Sequence, residues 1–438
     1  MSSKLEDIAK QLDDANKKVQ LIYAFNGSGK TRLSRAFKER IAPKNNEGDN
    51  VGEAEPPRNK ILYYSAFTED LFYWDNDLEA DSEPKLKIQP NTFTDWLIAL
   101  LKELGEDANI AANFQRYTAS NASPVFNAEY KKKAKDFNGK EVEITIPAFS
   151  EIVFQVAARA PSGVNYGADS ANGEPLVVQG QYKAIKISKG EESNFIWSIF
   201  FTLLQQVVAT LDESKEEDRV TNEFNNLEYV FIDDPVSSLD DSHLIALAVD
   251  LAGLIKSSRY VDGKGLRFVI TTHSPLFYNV LFNELSNDLK RTNPDGTSKK
   301  LYKRDQSEKY RLQKKSDGGF ELLAANDHPF SYHLFLLSEL RAAISTNQIR
   351  KFHFNFLRNI LEKTATFLGY SRWEDLLEKT AGGLPDPFAN RILNLSSHSA
   401  HAGEEVTEIE DSDKERLAQL VSFLSETYRF KKQEAENV

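Results

Sequence analysis

The sequence predicts an α/β fold with a largely parallel sheet, followed by a helical C-terminal region. Three observations carry this. Short apolar runs at residues 19–24, 60–64, 229–232 and 267–271 have the length and β-branched content of buried strands. Helical periods follow several of them, and such alternation argues for an α/β sandwich. Beyond about residue 328 the apolar spacing becomes helical throughout. It marks Phe330, His333, Leu334 and Leu337, then Phe352, Phe356, Leu357, Ile360, Leu361, Phe367 and Leu368, then Leu417, Leu420, Val421 and Leu424. The division this implies is a first domain over residues 1–328 and an all-helical one over 329–438.

A chain of 438 residues that is 40% apolar and 11% aromatic can bury enough surface to outweigh its conformational entropy, which excludes wholesale disorder. Residues 43–59, 161–180 and 292–298 read as connections, because Gly, Pro and Asn interrupt any period there. There is no cysteine, so disulfides, thiolate metal sites and cysteine nucleophiles are excluded, and a reducing cytoplasm is the expected location. The first residues lack the apolar core of a secretory signal. The apolar stretch 195–211 is broken by Ser198, Thr202, Gln205, Gln206 and Thr210; it is shorter than the roughly 20 residues of a bilayer span and reads as a buried helix, with no membrane expected.

The net charge of −12 argues against a passive, charge-driven nucleic-acid binder. One local exception is residues 290–315, with ten Lys/Arg against three acids and with Tyr302 and Tyr310 interleaved. This strip reads either as a nucleic-acid backbone contact with stacking rings or as a solvated hairpin turning at residues 316–319.

Residues 24–31 read AFNGSGKT, after one predicted strand and before a helix starting near Arg32. That is the context of a phosphate loop. The backbone around Asn26, Gly27, Ser28 and Gly29 cradles phosphates, Lys30 reaches the terminal ones, Thr31 ligates magnesium, and Arg32 follows at the helix start. Ala24 stands where the usual pattern has its first glycine. A second strand, YVFIDDP, ends in two carboxylates: Asp233 suits magnesium and Asp234 suits polarising an attacking water. Ser237, Ser238, Leu239 and Asp240 follow, and the strand at 267–271 runs into Thr272 and His273, whose imidazole suits sensing a γ-phosphate. Taken singly, each also reads as a turn or a helix cap.

Together these segments resemble the ABC-type P-loop ATPase head. SSLD is similar to its D-loop, with Asp240; TTHS is similar to its switch-histidine segment; and ISKGEES is similar to its signature, with Ser188, Gly190 and Glu191 ahead of a helix over 193–211. The resemblance implies ATP or GTP with Mg²⁺ as cofactors, and a homodimer, or a higher oligomer, in which the signature of one subunit closes over nucleotide held by the other. Sustained heptads are absent between phosphate loop and signature, so coiled-coil arms are not expected. Residues 63–70 occupy the region of the family's glutamine loop without offering a clean candidate.

Five of the seven histidines, at 328, 333, 353, 398 and 401, fall in the last quarter. Arg358 and Glu362 sit at i and i+4 on a predicted helix over 352–368, and residues 391–401 read RILNLSSHSAH. The plain reading of the pair is a surface salt bridge in the less favourable order for the helix dipole. An Arg-xxx-Glu helix followed by Asn-x-x-Ser-His, behind a head containing DDPVSSLD, resembles the PrrC family of anticodon nucleases. That resemblance implies tRNA as substrate, a ribonuclease site of Arg358, Glu362 and His398, and restraint by a type I restriction-modification complex. Metal-free RNA cleavage suits these groups, with Glu362 as base, His398 as acid or the reverse, and Arg358 as phosphate clamp, giving a 2′,3′-cyclic phosphate. The alternative is an ABC-type ATPase switch that regulates a separate defence effector and has no nuclease activity of its own.

Overall fold

Strand β1 (Val19–Ala24) is buried at all six positions and lies inside a six-stranded sheet. Its neighbours explain why its sequence is apolar without alternation: both faces of this parallel sheet are covered. The computed structural model describes residues 3–43, 59–75, 84–118, 120–135, 140–157, 182–235, 241–292, 296–315, 317–326, 330–379 and 409–430. Two units separate at Pro329/Phe330.

The first unit begins with α1 (Leu5–Asp14), β1, α2 (Lys30–Ile41), β2 (Ile61–Tyr64) and the single turn α3 (Ala66–Glu69). A smaller antiparallel sheet follows, interrupted by two helices: β3 (Phe72–Asp75), β4 (Lys85–Ile88), α4 (Thr92–Leu104), α5 (Asp107–Thr118) and β5 (Ser123–Phe126). Next come the ribbon of β6 (Tyr130–Lys135) and β7 (Glu141–Ile146), then β8 (Glu151–Ala157) and β9 (Tyr182–Ile185). The main sheet resumes after α6 (Lys189–Asp212). It continues through β10 (Tyr229–Asp233), α7 (Asp241–Ser257), the small ribbon β11 (Tyr260–Val261) with β12 (Lys264–Gly265), β13 (Arg267–Thr272) and α8 (Pro275–Leu285). The unit ends with the ribbon β14 (Leu289–Thr292) and β15 (Ser298–Tyr302), and with β16 (Ser307–Lys314) and β17 (Phe320–Ala324).

The main sheet has the order β17-β16-β1-β13-β10-β2, and every pair is parallel except β16 with β17. Parallel pairing brings the C-terminal ends of β1, β13 and β10 to one edge, where ligands of open α/β sheets bind. The phosphate loop, the paired acids and the TTHS segment therefore converge although they are some 200 residues apart in sequence. The order in the smaller sheet is β3-β4-β8-β5, with β9 added on β8.

On one face of the main sheet, α1 buries Leu5, Ile8, Ala9 and Leu12, one helical stripe, together with Leu33 and Phe37 of α2 against Ile22, Phe231 and Val269. Each fully buried Leu or Ile contributes on the order of 2 kcal/mol. On the other face, Tyr278 of α8 meets Tyr23 of β1 edge to face, with ring centroids 5.6 Å apart. Helix α6 is long and apolar enough to cross a membrane, yet 78% of its most apolar window is buried inside the protein. It is a core helix, with Trp197 packed edge to face on Tyr64 of β2.

The regular elements among the described residues of the second unit are helical: α9 (Tyr332–Ser345), α10 (Lys351–Leu368), a 3₁₀ turn at Trp373–Leu376 and α11 (Asp411–Thr427). Leu336, Leu337 and Leu340 of α9, Phe354, Leu357, Ile360, Leu361 and Ala365 of α10, and Leu417, Leu420, Val421 and Leu424 of α11 form its core. Three residues of the expected stripe lie outside it. Phe367 is 90% exposed, and Leu368 and Phe352 are also exposed, because they occupy the two ends of α10 beyond its core residues Phe354 to Ala365.

Candidate functional site

The phosphate loop leaves β1 at Ala24, which is still paired with Leu312 of β16. Ala24 is therefore an ordinary strand residue and needs none of the freedom of the glycine it replaces. Gly27 and Gly29 do need it, with φ of +78° and +97°; at Gly29 a Cβ would also come within 2.8 Å of the Phe320 ring. Helix α2 begins at Lys30, two residues earlier than expected, so the loop lies over a helix N-terminus with unpaired N–H groups. The buried Lys30 ammonium donates to Ala24 O at 3.3 Å and to Asn26 Oδ1 at 3.1 Å, while Ser28 Oγ donates to Phe25 O at 2.6 Å. The exposed Arg32 holds its guanidinium 5.5 Å from the Phe320 ring centre.

The two adjacent carboxylates take different partners, as alternation along a strand end requires. Asp233 accepts from Thr31 Oγ1 at 3.0 Å and from Thr271 Oγ1 at 2.5 Å, and its burial pushes its pKa upward. Asp234 adopts a left-handed backbone, φ +55°, and bonds to the ring of His273 through Nδ1. It also accepts from Thr272 Oγ1 at 3.3 Å and lies 3.6 Å from Lys30 Nζ. Burial works to raise its pKa, but the contacts with His273 and Lys30 outweigh burial and hold it below the usual carboxylate range. Asp240, with the rest of residues 236–240, lies outside the described residues.

Sequence reasoning missed three groups at this edge. Thr271 orients Asp233 from the neighbouring strand. The Tyr63 hydroxyl lies 2.8 Å from Ser34 Oγ of α2. Ser65, one residue beyond the Tyr64–Ile232 pairing, is 1% exposed, caps α3 and helps to hold the Tyr63 hydroxyl. A threonine or tyrosine at a strand end carries no motif; only register shows which face it occupies.

Ser188 is the N-cap of α6, the helix that begins at Lys189 rather than 193. Its Oγ accepts from Glu191 N at 3.3 Å, and Glu191 Oε2 accepts from Ser188 N at 2.8 Å, a reciprocal capping box. Burial works to raise the Glu191 pKa, and these bonds to Ser188 bring it below its ordinary value. Gly190 sits between them in the first turn. No hydrogen bond or ion pair among the described residues joins Ser188, Gly190 or Glu191 to the phosphate loop. The next residue, Glu192, is buried and accepts from Trp74 Nε1 at 2.9 Å and Lys189 Nζ at 2.7 Å.

In the second unit Arg358 Nε donates to Glu362 Oε1 at 2.8 Å, with the side chains 32% and 48% exposed. His398, the third residue of that set, lies outside the described residues, as do His328 and His401. The other two crowded histidines have local partners. His333 Nε2 lies 3.1 Å from Asn359 Oδ1, and His353 Nδ1 accepts from Arg350 N at 2.8 Å, closing the first turn of α10. Burial lowers the pKa of both.

The basic strip at residues 290–315 is not one surface. Tyr302 is fully buried and donates to Leu285 O at 2.8 Å; Tyr310 is buried in the sheet, and the Lys309 ammonium is buried against Ser307 Oγ at 2.8 Å. Neither ring is available for stacking, because both point into the core. The predicted hairpin is present as β16 and β17.

Comparison with known proteins gives two matches. Residues 170–426 match the family model described as "AAA domain", more than half of the chain. The whole chain aligns with the whole of a protein named "Anticodon nuclease" from Escherichia coli at 44% identity. The chain belongs to the anticodon nuclease family. Membership of that family, with an AAA domain, places nucleotide chemistry and nuclease chemistry on one chain. The family's AAA match runs from before α6 to α11, across both units.

Proposed function

We propose that this protein is a nucleotide-gated anticodon nuclease, in which ATP or GTP bound by an ABC-type head controls cutting of tRNA by the all-helical C-terminal domain. The full-length identity to the anticodon nuclease of Escherichia coli carries this reading. The convergence of Lys30, Thr31, Asp233, Asp234 and His273 at one sheet edge supports its nucleotide half.

Thr31 Oγ1 and the Asp233 carboxylate face each other across 3.0 Å as hard oxygen ligands, and this pair fits Mg²⁺. When bound, the ion would neutralise phosphate charge. Around it, the loop N–H groups and Lys30 bind phosphate oxygens, and Asp234, kept ionised by His273, accepts a hydrogen bond from the attacking water. Ser188, Gly190, Glu191 and Asp240 would serve the partner's nucleotide in a homodimer. The capping box supports this in part, since it leaves a well-formed helix N-terminus at the signature.

For the nuclease, Glu362 takes the 2′-hydroxyl proton, His398 protonates the leaving 5′-oxygen, and Arg358 clamps the phosphate, with base and acid exchangeable between Glu362 and His398. The Arg358–Glu362 ion pair supports this by holding cation and base on one helix face. A cytoplasmic location and restraint by a type I restriction-modification complex belong to the same proposal. Total tRNA is incubated with the protein and ATP or GTP. Wild-type protein is expected to yield anticodon-loop fragments ending in a 2′,3′-cyclic phosphate, and His398→Ala none. Equal cleavage by both removes the assigned site; nucleotide hydrolysis with no RNA cut by either favours the switch reading.

A further inference from the structure

The ribbon β14–β15 carries an arrangement that costs folding energy. Its register sets Lys290 opposite Lys300 and Arg291 opposite Lys299, two directly facing pairs of like charge, and all four side chains are exposed. Like charges directly opposite each other in a two-stranded ribbon are destabilising. Alternation puts one pair on each face. Lys300 is relieved by Asp288 at 3.0 Å, but Lys290, Arg291 and Lys299 have no ion pair among the described residues. Lys303 and Arg304 extend the exposed charge past the end of β15.

The ribbon is nevertheless firmly mounted. Tyr302, its last residue, is fully buried, bonded to Leu285 O, with the ammonium groups of Lys18 and Lys256 5.6 and 5.9 Å from its ring centre. A fixed, repulsive set of cations on a chain of net charge −12 is an arrangement that a line of negative charge would relieve.

We propose that the β14–β15 ribbon is a docking element for the sugar-phosphate backbone of the tRNA substrate, separate from the cutting residues; this rests on the anticodon nuclease reading. An acidic protein surface is the competing partner, and the ribbon's composition disfavours it. None of the exposed large hydrophobic residues of the described chain lies between residues 287 and 304, whereas protein interfaces have an apolar, aromatic-rich centre. Contacts made through charge alone suit phosphates, and they position the RNA without reading its bases. Which tRNA is cut must then be decided elsewhere.

The test uses the full chain carrying Glu362→Gln, so that RNA is bound and not cut, with Lys290→Gln, Arg291→Gln and Lys299→Gln added together. The expected result is at least tenfold weaker tRNA binding at 150 mM KCl. The slope of log Kd against log [KCl] should be lower by about 2, since each phosphate that is no longer neutralised lowers it by about 0.7 to 0.9. Nucleotide hydrolysis should stay within twofold and the melting temperature should hold or rise. A single Lys299→Glu change, which faces Arg291 with an opposite charge, should raise the melting temperature while weakening tRNA binding. The proposal is overturned if affinity and slope match those of the parent, or if tRNA binding is retained while binding of polyglutamate is abolished, which would assign the ribbon to an acidic protein. A parent protein that neither binds tRNA nor, with Glu362 restored, cuts it overturns the nuclease reading as well, and is distinguishable because the wild-type ribbon then has no RNA to hold.

Discussion

At the sheet edge of the first unit, Thr31, Asp233, Thr271, Asp234, His273 and Lys30 interlock through contacts from α2 and the ends of β10 and β13, and Asp233 is almost completely buried. On α10 of the second unit, Arg358 and Glu362 share one hydrogen bond at a half-open surface. The proposed nucleotide site is thus held by side-chain contacts among neighbouring elements, and burial and pairing set its acids apart in pKa, one up and one down. The pair proposed for the nuclease instead sits on one helix face with both side chains partly exposed. An exposed pair needs its substrate, or another segment, to exclude water, and that difference is what the proposed gating of cutting by nucleotide would require.

The strongest way to break the contrast is to disable each half alone. Glu362→Gln should reduce tRNA cleavage by about 10² to 10⁴-fold, the usual contribution of a general acid or base, with nucleotide hydrolysis within twofold of wild type. Matching cleavage rates would remove Glu362 from the chemistry. Lys30→Ala should reduce nucleotide hydrolysis by about 10² to 10³-fold, the scale of losing one preorganised charge contact, and any gated cleavage should fall with it. Cleavage that continues undiminished would show the two halves to be uncoupled.

Stability sharpens the comparison further. Leu361→Ala, at a fully buried position in the helical core, should cost about 2–5 kcal/mol, read as a shift in the calorimetric transition of the second unit. That same transition should depend on pH through His333 and His353. Burial lowers both folded pKa values below the unfolded value of about 6.5, so their neutral forms stabilise the fold fully above that pH. The contribution is lost as pH falls through the lowered folded values, and protonating His353 also removes the acceptor for Arg350 N. The transition should therefore move down between pH 7.5 and 5, and His353→Gln should flatten the response; a flat wild-type profile would contradict the burial argument. The smallest expected effect is on the ion pair. Glu362→Gln should change unfolding free energy by less than about 1 kcal/mol, because an exposed i,i+4 pair in the order Arg then Glu contributes little. A larger loss would mean that the pair is structural.

Much of this protein was legible in its residues because the relevant physics is local. A glycine-rich turn between a strand and a helix and an Arg-xxx-Glu spacing both state their geometry within a few positions, whereas residues 188–191, read as a signature ahead of a helix from 193, form a capping box on a helix that starts at Lys189. The strand positions were legible for the same reason: an uninterrupted apolar run needs cover on both faces. The edge-to-centre order of the sheet was not, nor was the fate of Tyr302 and Tyr310, which look like stacking rings among lysines and are instead anchors in the core. The apolar stripe of α10 was read past its core at both ends, by Phe352 at one and by Phe367 and Leu368 at the other, since periodicity shows which face is apolar and not where the neighbouring helices stop. The sequence by itself therefore determined the chemistry on offer: phosphate loop, paired acids and a strip rich in Lys and Arg. Tertiary structure alone decided which groups meet, because parallel pairing places Thr271 beside Asp233 across a large sequence separation, and hairpin register sets cation against cation; both depend on pairing between strands that no single segment states.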